Sequence, residues 1–192
     1  MDCQVIDIHG TWREVADCAR VTANMEPGTG EPASWWKTKM LLAEHSPIRE
    51  ITVIAEWTGI SYWVAMHLVR HHQGCQPYVM SQRDDRQKEV PHQSRKDKPQ
   101  DAPVKLRFTF NQQAIINISR KRLCQKAAKE TREAWQMLVK ELRNTGQREL
   151  SDACVPECVY RGFCPEMDSC GFCLTDKYED MLAWYHRVLL FC

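Results

Sequence analysis

The segment VKLRFTFNQQAIINISRKR, residues 104–122, carries the clearest structural signal in the sequence. Its first part, 104–110, alternates apolar and polar side chains, which is typical of a strand with one buried face. Asn111 follows at the position of a helix N-cap, where its side chain can accept a hydrogen bond from the backbone. Apolar residues such as Ala114 and Ile118 then recur at helical spacing. The segment therefore predicts a strand that leads directly into a helix.

An earlier segment, residues 50–72, repeats this order of strand and helix. Residues 50–57 are rich in β-branched and aromatic side chains, which favour a strand. The mostly apolar run 63–70 predicts a buried helix that ends near His71 and His72. The chain is therefore expected to contain two strand–helix units.

Caps, turns and periodicity predict the remaining elements. Further helices are expected after the Thr11-Glu14 capping box, after a Ser34 cap, over 127–142 and over 176–190. The polar, proline-containing segment 82–103 predicts an exposed loop. These elements predict an α/β (α+β) fold, and a length of 192 residues predicts a single domain, 1–192.

The composition argues against several classes of partner. With 26 Lys and Arg against 25 Asp and Glu, the formal net charge is +1, so no global field draws the protein to nucleic acid or membranes. The first residues lack a basic region followed by an apolar run, and no apolar stretch approaches the ~20 residues that span a bilayer. We therefore expect a cytoplasmic protein that binds neither nucleic acid nor membranes, with local arginines holding any anionic ligand.

Two segments of the chain resemble the flavin-dependent thymidylate synthases. HLVRHH at 67–72, which continues to SQR at 81–83, is similar to the family's Arg-His-Arg motif with its downstream Ser and Arg. NQQAIINISRKR at 111–122 is similar to a second family pattern, Asn-x-Arg followed by Asn and Arg. Weaker matches are CARVT at 18–22 and HSP at 45–47, and all four occur in the family's order.

The resemblance implies a fold, a reaction and an assembly. The fold would have helices packed on a mainly antiparallel sheet. The reaction would be methylation of deoxyuridylate (dUMP) to thymidylate, with FAD as cofactor, methylene-tetrahydrofolate as one-carbon donor and a nicotinamide reductant such as NADPH. The assembly would be a homotetramer, because the family builds each active site from several subunits.

The resemblance also assigns roles to individual residues. Arg122 would stabilise charge on the uracil ring, and Ser81 would position the nucleotide, so these two are the catalytic candidates. Arginine suits such ligands because its planar guanidinium forms forked hydrogen bonds with phosphate. The substrate site is implied at His67, Arg70, Ser81, Arg83 and Arg122. The flavin site is implied at Ser46, Arg70, His71, His72, Asn111, Gln113 and Asn117.

Some of these residues also have a structural interpretation. His71 and His72 could cap the carbonyls of the helix that they end, and their charge would favour its dipole. Asn111 could act as an N-cap and bind a ligand at the same time. Arg122 could be an ordinary surface residue on its helix.

The chain departs from the family pattern in length. The segment 73–80 is one residue longer than in the family. Residues 84–110 form a shorter connection, which lacks the family's further nucleotide-binding arginine. Arg95 or Arg107 could take the place of that arginine.

The chain also departs from the pattern in residue type. His72 and Gln113 stand where the family has Arg, and His67 stands where it usually has Gln. Loss of an arginine at a phosphate contact would weaken binding by roughly ten- to a hundred-fold. The altered pocket leaves open a second reaction, one-carbon transfer such as hydroxymethylation on another pyrimidine deoxynucleotide.

Ten cysteines occur in the chain, and five of them lie in the segment 154–173. Cysteines in a reducing cytosol remain thiols or bind metal more often than they form disulfides. Structural zinc is one hypothesis for four of these thiols, and unmetallated thiols or a redox role are the others. The candidate ligands are Cys158, Cys164, Cys170 and Cys173. A third hypothesis for the whole chain is therefore a non-catalytic, zinc-containing binding protein on the same fold.

Overall fold

The computed structural model describes residues 1–86 and 94–190, which form a sheet with helices packed against it. The strands are β1 (Asp2–His9), β2 (Thr52–Ser61), β3 (Cys75–Val79) and β4 (Pro103–Asn111). The helices are α1 (Trp12–Thr22), α2 (Ser34–Leu42), α3 (Tyr62–Val69), α4 (Gln112–Arg122), α5 (Lys129–Asn144), α6 (Arg148–Ala153), α7 (Glu157–Arg161) and α8 (Asp176–Leu190). Short 3-10 helices cover Ser46–Glu50, Asp84–Arg86, Arg95–Asp97 and Phe172–Leu174.

The sheet has the order β1-β2-β4-β3, and every neighbouring pair of strands is antiparallel. The predicted α+β fold with a mainly antiparallel sheet is therefore confirmed. In the central pair, Thr52 of β2 lies opposite Asn111 of β4, and Ser61 lies opposite Pro103. The end of β4 is thus beside the start of β2, and each of these two strands leads directly into a helix.

The alternation in 104–110 produces the expected buried face. Val104, Leu106, Phe108 and Phe110 are all at most 1% exposed, while the residues between them are exposed or half-buried. Because side chains alternate across a strand, one face of β4 packs into the core and the other does not. The strand predicted over residues 50–57 also forms, although it begins at Thr52 and runs on to Ser61.

Two tryptophans connect the sheet to helices α5 and α4. Trp57 of β2 stacks on Trp135 of α5, with ring centroids 6.3 Å apart. The Trp57 indole N–H donates to the Ala134 carbonyl at 2.9 Å, and the Trp135 indole N–H donates to Ser119 Oγ at 2.8 Å. Both indole N–H groups are therefore satisfied, which buried tryptophans require. Through Ser119, this contact fixes α4 against the core.

The predicted helix starts are partly confirmed. At α1 the capping box is present, since the Glu14 N–H donates to Thr11 Oγ1 at 3.2 Å and the Thr11 N–H donates to Glu14 Oε2 at 2.6 Å. The predicted N-cap of α2, Ser34, was wrong. Ser34 is the first helical residue, and Ala33 occupies the cap position without a side-chain hydrogen bond.

Both edge strands, β1 and β3, escaped prediction from the sequence. β1 exposes most of its side chains, and β3 is only five residues long and contains Pro77. Edge strands are stabilised by hydrogen bonds to one neighbour, so their sequences need little apolar alternation. The predicted loop 82–103 contains two short 3-10 helices, and its residues 87–93 lie outside the described part of the chain. Within the described ranges, no helix is long and apolar enough to cross a membrane.

Candidate functional site

The two strand–helix units bring the two family-like motifs together. α3 ends at Val69, with Arg70 at its C-cap, and the loop that follows returns to the start of α4. There the Asn111 N–H donates to the Gly74 carbonyl at 2.9 Å. Gly74 has a φ of +70°, and a Cβ at this position would lie 2.7 Å from Asn111 Nδ2. Only glycine fits this close approach without displacing the Asn111 side chain.

Asn111 acts as the predicted N-cap of α4. Its Oδ1 accepts a hydrogen bond from the Ala114 N–H at 2.8 Å. The cap fixes the first turn of α4, and so it sets the direction in which the helix presents Asn117 and Arg122. Asn111 therefore contributes to the site at least as a structural residue.

The Arg122 guanidinium joins α4 to the motif at the end of α3. Its Nε–H donates to His71 Nε2 at 2.9 Å, and its Nη2 donates to the His67 backbone carbonyl at 2.5 Å. Burial, together with the nearby positive charge of Arg70, lowers the pKa of Arg122. An arginine nevertheless stays protonated in proteins. Arg122 therefore keeps its charge at a half-buried position.

His71 is the neutral partner of Arg122. Burial is the largest cause that lowers its pKa, followed by the charges of Arg122 and His72, and together they bring it to about 4. Because Nε2 accepts the hydrogen bond from Arg122, the neutral ring carries its proton on Nδ1. His71 therefore does not cap the α3 carbonyls as a cation, which was its structural interpretation.

A cavity of about 230 Å³ opens between the two motifs. Its lining combines residues from the end of α3 with residues from α4, namely Arg70, His71, His72, Gln73, Ala114, Asn117 and Ile118. Neither Arg70 nor Arg122 forms an ion pair with a carboxylate of the described residues. Two neighbouring guanidinium groups without a counter-ion create a positive potential that favours an anionic ligand.

One side of this cavity is supported by the Glu44 cluster, which we define as Glu44, Gln113, Asn117, Arg120 and Tyr160. The Glu44 carboxylate accepts from Gln113 Nε2 at 2.5 Å and is paired with Arg120. Asn117 Oδ1 accepts from Gln113 and from Arg120, at 3.3 Å in each case. The Arg120 guanidinium also lies 3.5 Å from the centre of the Tyr160 ring, which is a cation–π contact.

The Glu44 cluster determines what two predicted flavin residues can do. Gln113 is buried and donates hydrogen bonds from its amide N–H groups to Glu44 and Asn117, so it fixes the orientation of the Asn117 side chain. Asn117 lines the cavity, and because its Oδ1 is occupied, its Nδ2 group is left to donate to a ligand. Glu44 was missed by sequence reasoning because it lies far from its partners in the chain, and no local pattern indicates the contact.

Ser81 and Arg83 line a different cavity, of about 330 Å³. Its other lining residues include Tyr62, Met66 and Arg95. Arg83 forms a forked pair with Asp85, with Nε and Nη2 donating at 2.9 and 2.7 Å. Within one chain, the structure therefore does not group Arg83 with Arg70 and Arg122 as predicted, and it does not place Ser81 at the cavity that Arg70 lines.

The remaining predicted residues occupy varied positions. His67 has its ring Nδ1 3.1 Å from Thr131 Oγ1, and it contributes its backbone carbonyl to Arg122. His72 Nδ1 lies 3.1 Å from the Arg70 carbonyl, at the edge of the 230 Å³ cavity. Ser46 is exposed at the start of its 3-10 helix.

Of the two arginines considered as replacements for the family's further nucleotide-binding residue, only one lies near a predicted site residue. Arg95 lines the same cavity as Ser81. Arg107 is paired with Glu56 of the neighbouring strand, with Arg107 Nη2 2.9 Å from Glu56 Oε2. The Arg107 guanidinium is therefore engaged in an ion pair on the sheet and does not replace the family's nucleotide-binding arginine within this chain.

The predicted zinc site at Cys158, Cys164, Cys170 and Cys173 is not supported. In the described parts of the chain, no group of three or more His, Cys, Asp or Glu side chains is arranged to hold a metal ion. Burial raises the pKa of Cys158 to about 12, so this thiol is protonated in the metal-free chain. Cys170, by contrast, is exposed. These cysteines are free thiols in the structure.

Comparison with known proteins bears on the fold. No protein-family model matches the chain, and no curated protein sequence matches it. Among solved structures, it is similar to flavin-dependent thymidylate synthase ThyX from Helicobacter pylori, in complex with FAD and dUMP. The TM-score is 0.63 at 14% identity, over 81% of this chain and 100% of the other.

A second similar structure is the UMP/dUMP methylase PolB from Streptomyces cacaoi, bound with 5-Br dUMP. The TM-score is 0.57 at 14% identity, over 84% of this chain and 94% of the other. The chain therefore has the fold of the flavin-dependent thymidylate synthases, as the two motifs predicted.

Proposed function

We propose that this chain, which has the flavin-dependent thymidylate synthase fold, is an enzyme that binds dUMP and FAD and methylates dUMP to thymidylate. The proposal includes methylene-tetrahydrofolate as the one-carbon donor and a nicotinamide reductant such as NADPH. The observation that carries it is the junction of the two motifs at Arg122, beside Arg70 and without a carboxylate counter-ion among the described residues. The bound dUMP and FAD of similarly folded proteins add support.

The geometry of Arg122 suits the proposed chemistry. Carbon 5 of uracil is a weak nucleophile, and stabilising negative charge on a ring oxygen allows it to attack a one-carbon donor. Arg122 uses Nε and Nη2 for contacts within the chain, whereas Nη1 has no partner among the residues described. Nη1 would therefore donate to the ring oxygen on which charge develops.

Residues that line the cavity beside Arg122 would bind and orient the reactants. Arg70 would contact a phosphate, and the Asn117 Nδ2 group would donate to a ring or phosphate oxygen. A reduced flavin, when bound, supplies the hydride, so no protein thiol has to add to the uracil ring. Consistent with this, burial raises the pKa of Cys75, whose thiol donates to the His71 carbonyl at 3.3 Å and is thus a poor nucleophile.

The size of the cavity tests how well the residues fit FAD. Arg70 in its lining suits the anionic part of the cofactor, but 230 Å³ is below the roughly 300–1,000 Å³ typical of ligand sites. One chain would therefore enclose only part of a flavin nucleotide. We propose that a homotetramer completes the site, with Ser81 and Arg83 of a neighbouring copy facing Arg70 and Arg122.

The proposal is tested by flavin titration followed by a substrate screen. Purified protein is titrated with FAD and then incubated with methylene-tetrahydrofolate, NADPH and either dUMP or deoxycytidylate. We expect the absorbance of bound flavin and formation of thymidylate from dUMP. A protein that takes up no flavin would contradict the proposed function, and turnover of deoxycytidylate alone would replace the proposed substrate.

Arg122→Ala provides the sharpest variant. We expect flavin to remain bound while thymidylate formation falls by about two to three orders of magnitude, because a charge-stabilising donor is lost. Arg143→Ala is the control, since Arg143 pairs with Asp152 at the far end of α5. Full activity in the Arg122 variant would remove the proposed mechanism.

A further inference from the structure

We infer that His71 is a positioning residue for Arg122, holding the guanidinium by a neutral acceptor so that its charge and its Nη1 group stay available to an anionic ligand. The inference deepens the proposed function and rests on it for the identity of the ligand. His71 acts through Arg122 in this role, separately from any contact of its own with a ligand.

Two hydrogen bonds fix one edge of the Arg122 guanidinium. Nε and Nη2 form the same side of the planar group, and both are occupied, by His71 Nε2 at 2.9 Å and by the His67 carbonyl at 2.5 Å. His67 lies in the last turn of α3 and His71 lies two residues beyond its end, whereas Arg122 is the last residue of α4. The two bonds therefore fix a long side chain, and Nη1 has no partner in the part of the chain that the structure describes.

The choice of a histidine matters because of charge. Carboxylate partners hold other arginines of this chain, such as Arg120 by Glu44 and Arg83 by Asp85. A carboxylate at position 71 would hold Arg122 equally well, but it would neutralise the charge that an anion needs. A neutral imidazole holds the guanidinium in the same orientation and leaves its positive charge uncompensated.

The surroundings of His71 keep it neutral. The charged or titratable groups that face it are Arg122 from α4, His72 from its own loop and the Cys75 thiol from the start of β3, and Arg70 precedes it in the chain. None of these is an anion at neutral pH, since burial raises the pKa of Cys75. Protonation of His71 would place a third positive charge beside Arg70 and Arg122 and would remove the acceptor of the Arg122 Nε–H.

The test uses ¹⁵N NMR on the ligand-free protein with labelled histidine and arginine. We expect His71 to show the neutral tautomer with the proton on Nδ1 throughout about pH 5–8. We also expect a protected Arg122 Nε–H signal that is lost in His71→Ala. A His71 ring that titrates near its ordinary value of 6.5, or an Arg122 signal unchanged in His71→Ala, would overturn the inference.

Conservative variants separate positioning from a general loss of structure. His71→Gln can place its Oε1 near the position of Nε2, so the Arg122 signal should be retained, whereas the shorter His71→Asn should lose it. His72→Gln is the matched control for the signal, because His72 contacts the Arg70 carbonyl and not Arg122. Loss of the signal in His71→Gln and His72→Gln alike would indicate a structural effect and refute the specific role.

Ligand binding gives the second readout. Calorimetry with dUMP should show affinity weakened roughly ten-fold or more in His71→Ala and largely restored in His71→Gln. The NMR result does not depend on activity. If the Arg122–His71 bond is present but the protein neither takes up flavin nor binds dUMP, the proposed function fails and the assignment of the bond stands. If the protein turns over dUMP although the Arg122–His71 bond is absent, the inference about His71 fails and the proposed function stands.

Discussion

Arginines in this protein differ mainly in what neutralises them. Arg83 is paired with Asp85 at the surface, and Arg120 is paired with Glu44 beneath the cavity. Arg122 is held by two uncharged acceptors, and Arg70 adds a second positive charge beside it. At the scale of single residues, Arg122 and Arg70 therefore differ from Arg83 and Arg120 in having no carboxylate partner among the described residues.

The pKa of His71 leads to a prediction about stability and pH. Its pKa is about 4 in the folded protein and near 6.5 in an unfolded chain, so the unfolded chain binds more protons between these values. The free energy of unfolding should therefore decrease as the pH drops from 6.5 towards 4, and His71 should account for up to about 3 kcal/mol of this decrease. Urea unfolding of the wild type and of His71→Gln across this range measures the difference, and parallel curves would contradict it.

The Glu44–Arg120 pair gives a second prediction at this scale. Glu44→Gln should reduce the free energy of unfolding by about 1–3 kcal/mol, because the Arg120 charge, 12% exposed, loses its carboxylate. The control is Arg83→Gln, which breaks a pair that is about 60% exposed on both sides and should change little. Urea unfolding measures both variants. Equal losses of unfolding free energy would show that burial does not determine how much these ion pairs contribute to stability.

Among the elements, α4 links the fold to the candidate site. Its first turn is capped by Asn111, its middle is fixed to α5 by the bond from Trp135 to Ser119, and its last residue is Arg122. Three of the residues that line the cavity, Ala114, Asn117 and Ile118, also belong to this helix. A shift of α4 would therefore move the binding groups together.

Removal of the α4 cap should test this coupling. Asn111→Ala should cost about 1 kcal/mol of stability, because the Ala114 N–H loses its acceptor, and it should weaken dUMP binding as well. Asn111→Asp keeps an acceptor oxygen and should retain more stability. The matched variant Thr11→Ala removes the α1 cap and should lower stability without affecting dUMP binding, as measured by urea unfolding and calorimetry. Weakened dUMP binding in both alanine variants would argue against a specific role of α4.

Over the whole molecule, one aromatic contact joins the sheet to the helical layer. Trp57 and Trp135 are both fully buried, and Phe110 of β4 lies edge-on to each of them. The hydrogen bond from Trp135 to Ser119 extends this contact to α4. The arrangement of the candidate site therefore depends on packing in the centre of the protein.

Trp135→Phe should weaken this central contact. We expect a loss of about 2–3 kcal/mol in unfolding free energy, because the smaller ring leaves a cavity and the bond to Ser119 disappears. Trp35→Phe is the control, since Trp35 is 64% exposed and should have little effect. Thermal and urea unfolding measure both, and a neutral Trp135 variant would show that the core tolerates the loss.

Local patterns in the sequence determined much of the fold. The alternation in β4, the Asn111 cap and the apolar periodicity of the main helices are written in neighbouring residues, and the structure confirms them. The two motifs likewise predicted the fold that the solved structures share. Short-range rules suffice for such features because each depends on hydrogen bonds or burial within a few residues.

Tertiary structure alone decided the composition of the candidate site. It placed His71 against Arg122, brought Glu44 to Gln113 and Arg120, and separated Ser81 and Arg83 from the cavity that contains Arg70. These contacts join residues far apart in the chain, so no local pattern encodes them. The contact of His71 with Arg122 arises because β3, which follows α3, pairs with β4 and so brings residues 70–74 beside the start of α4.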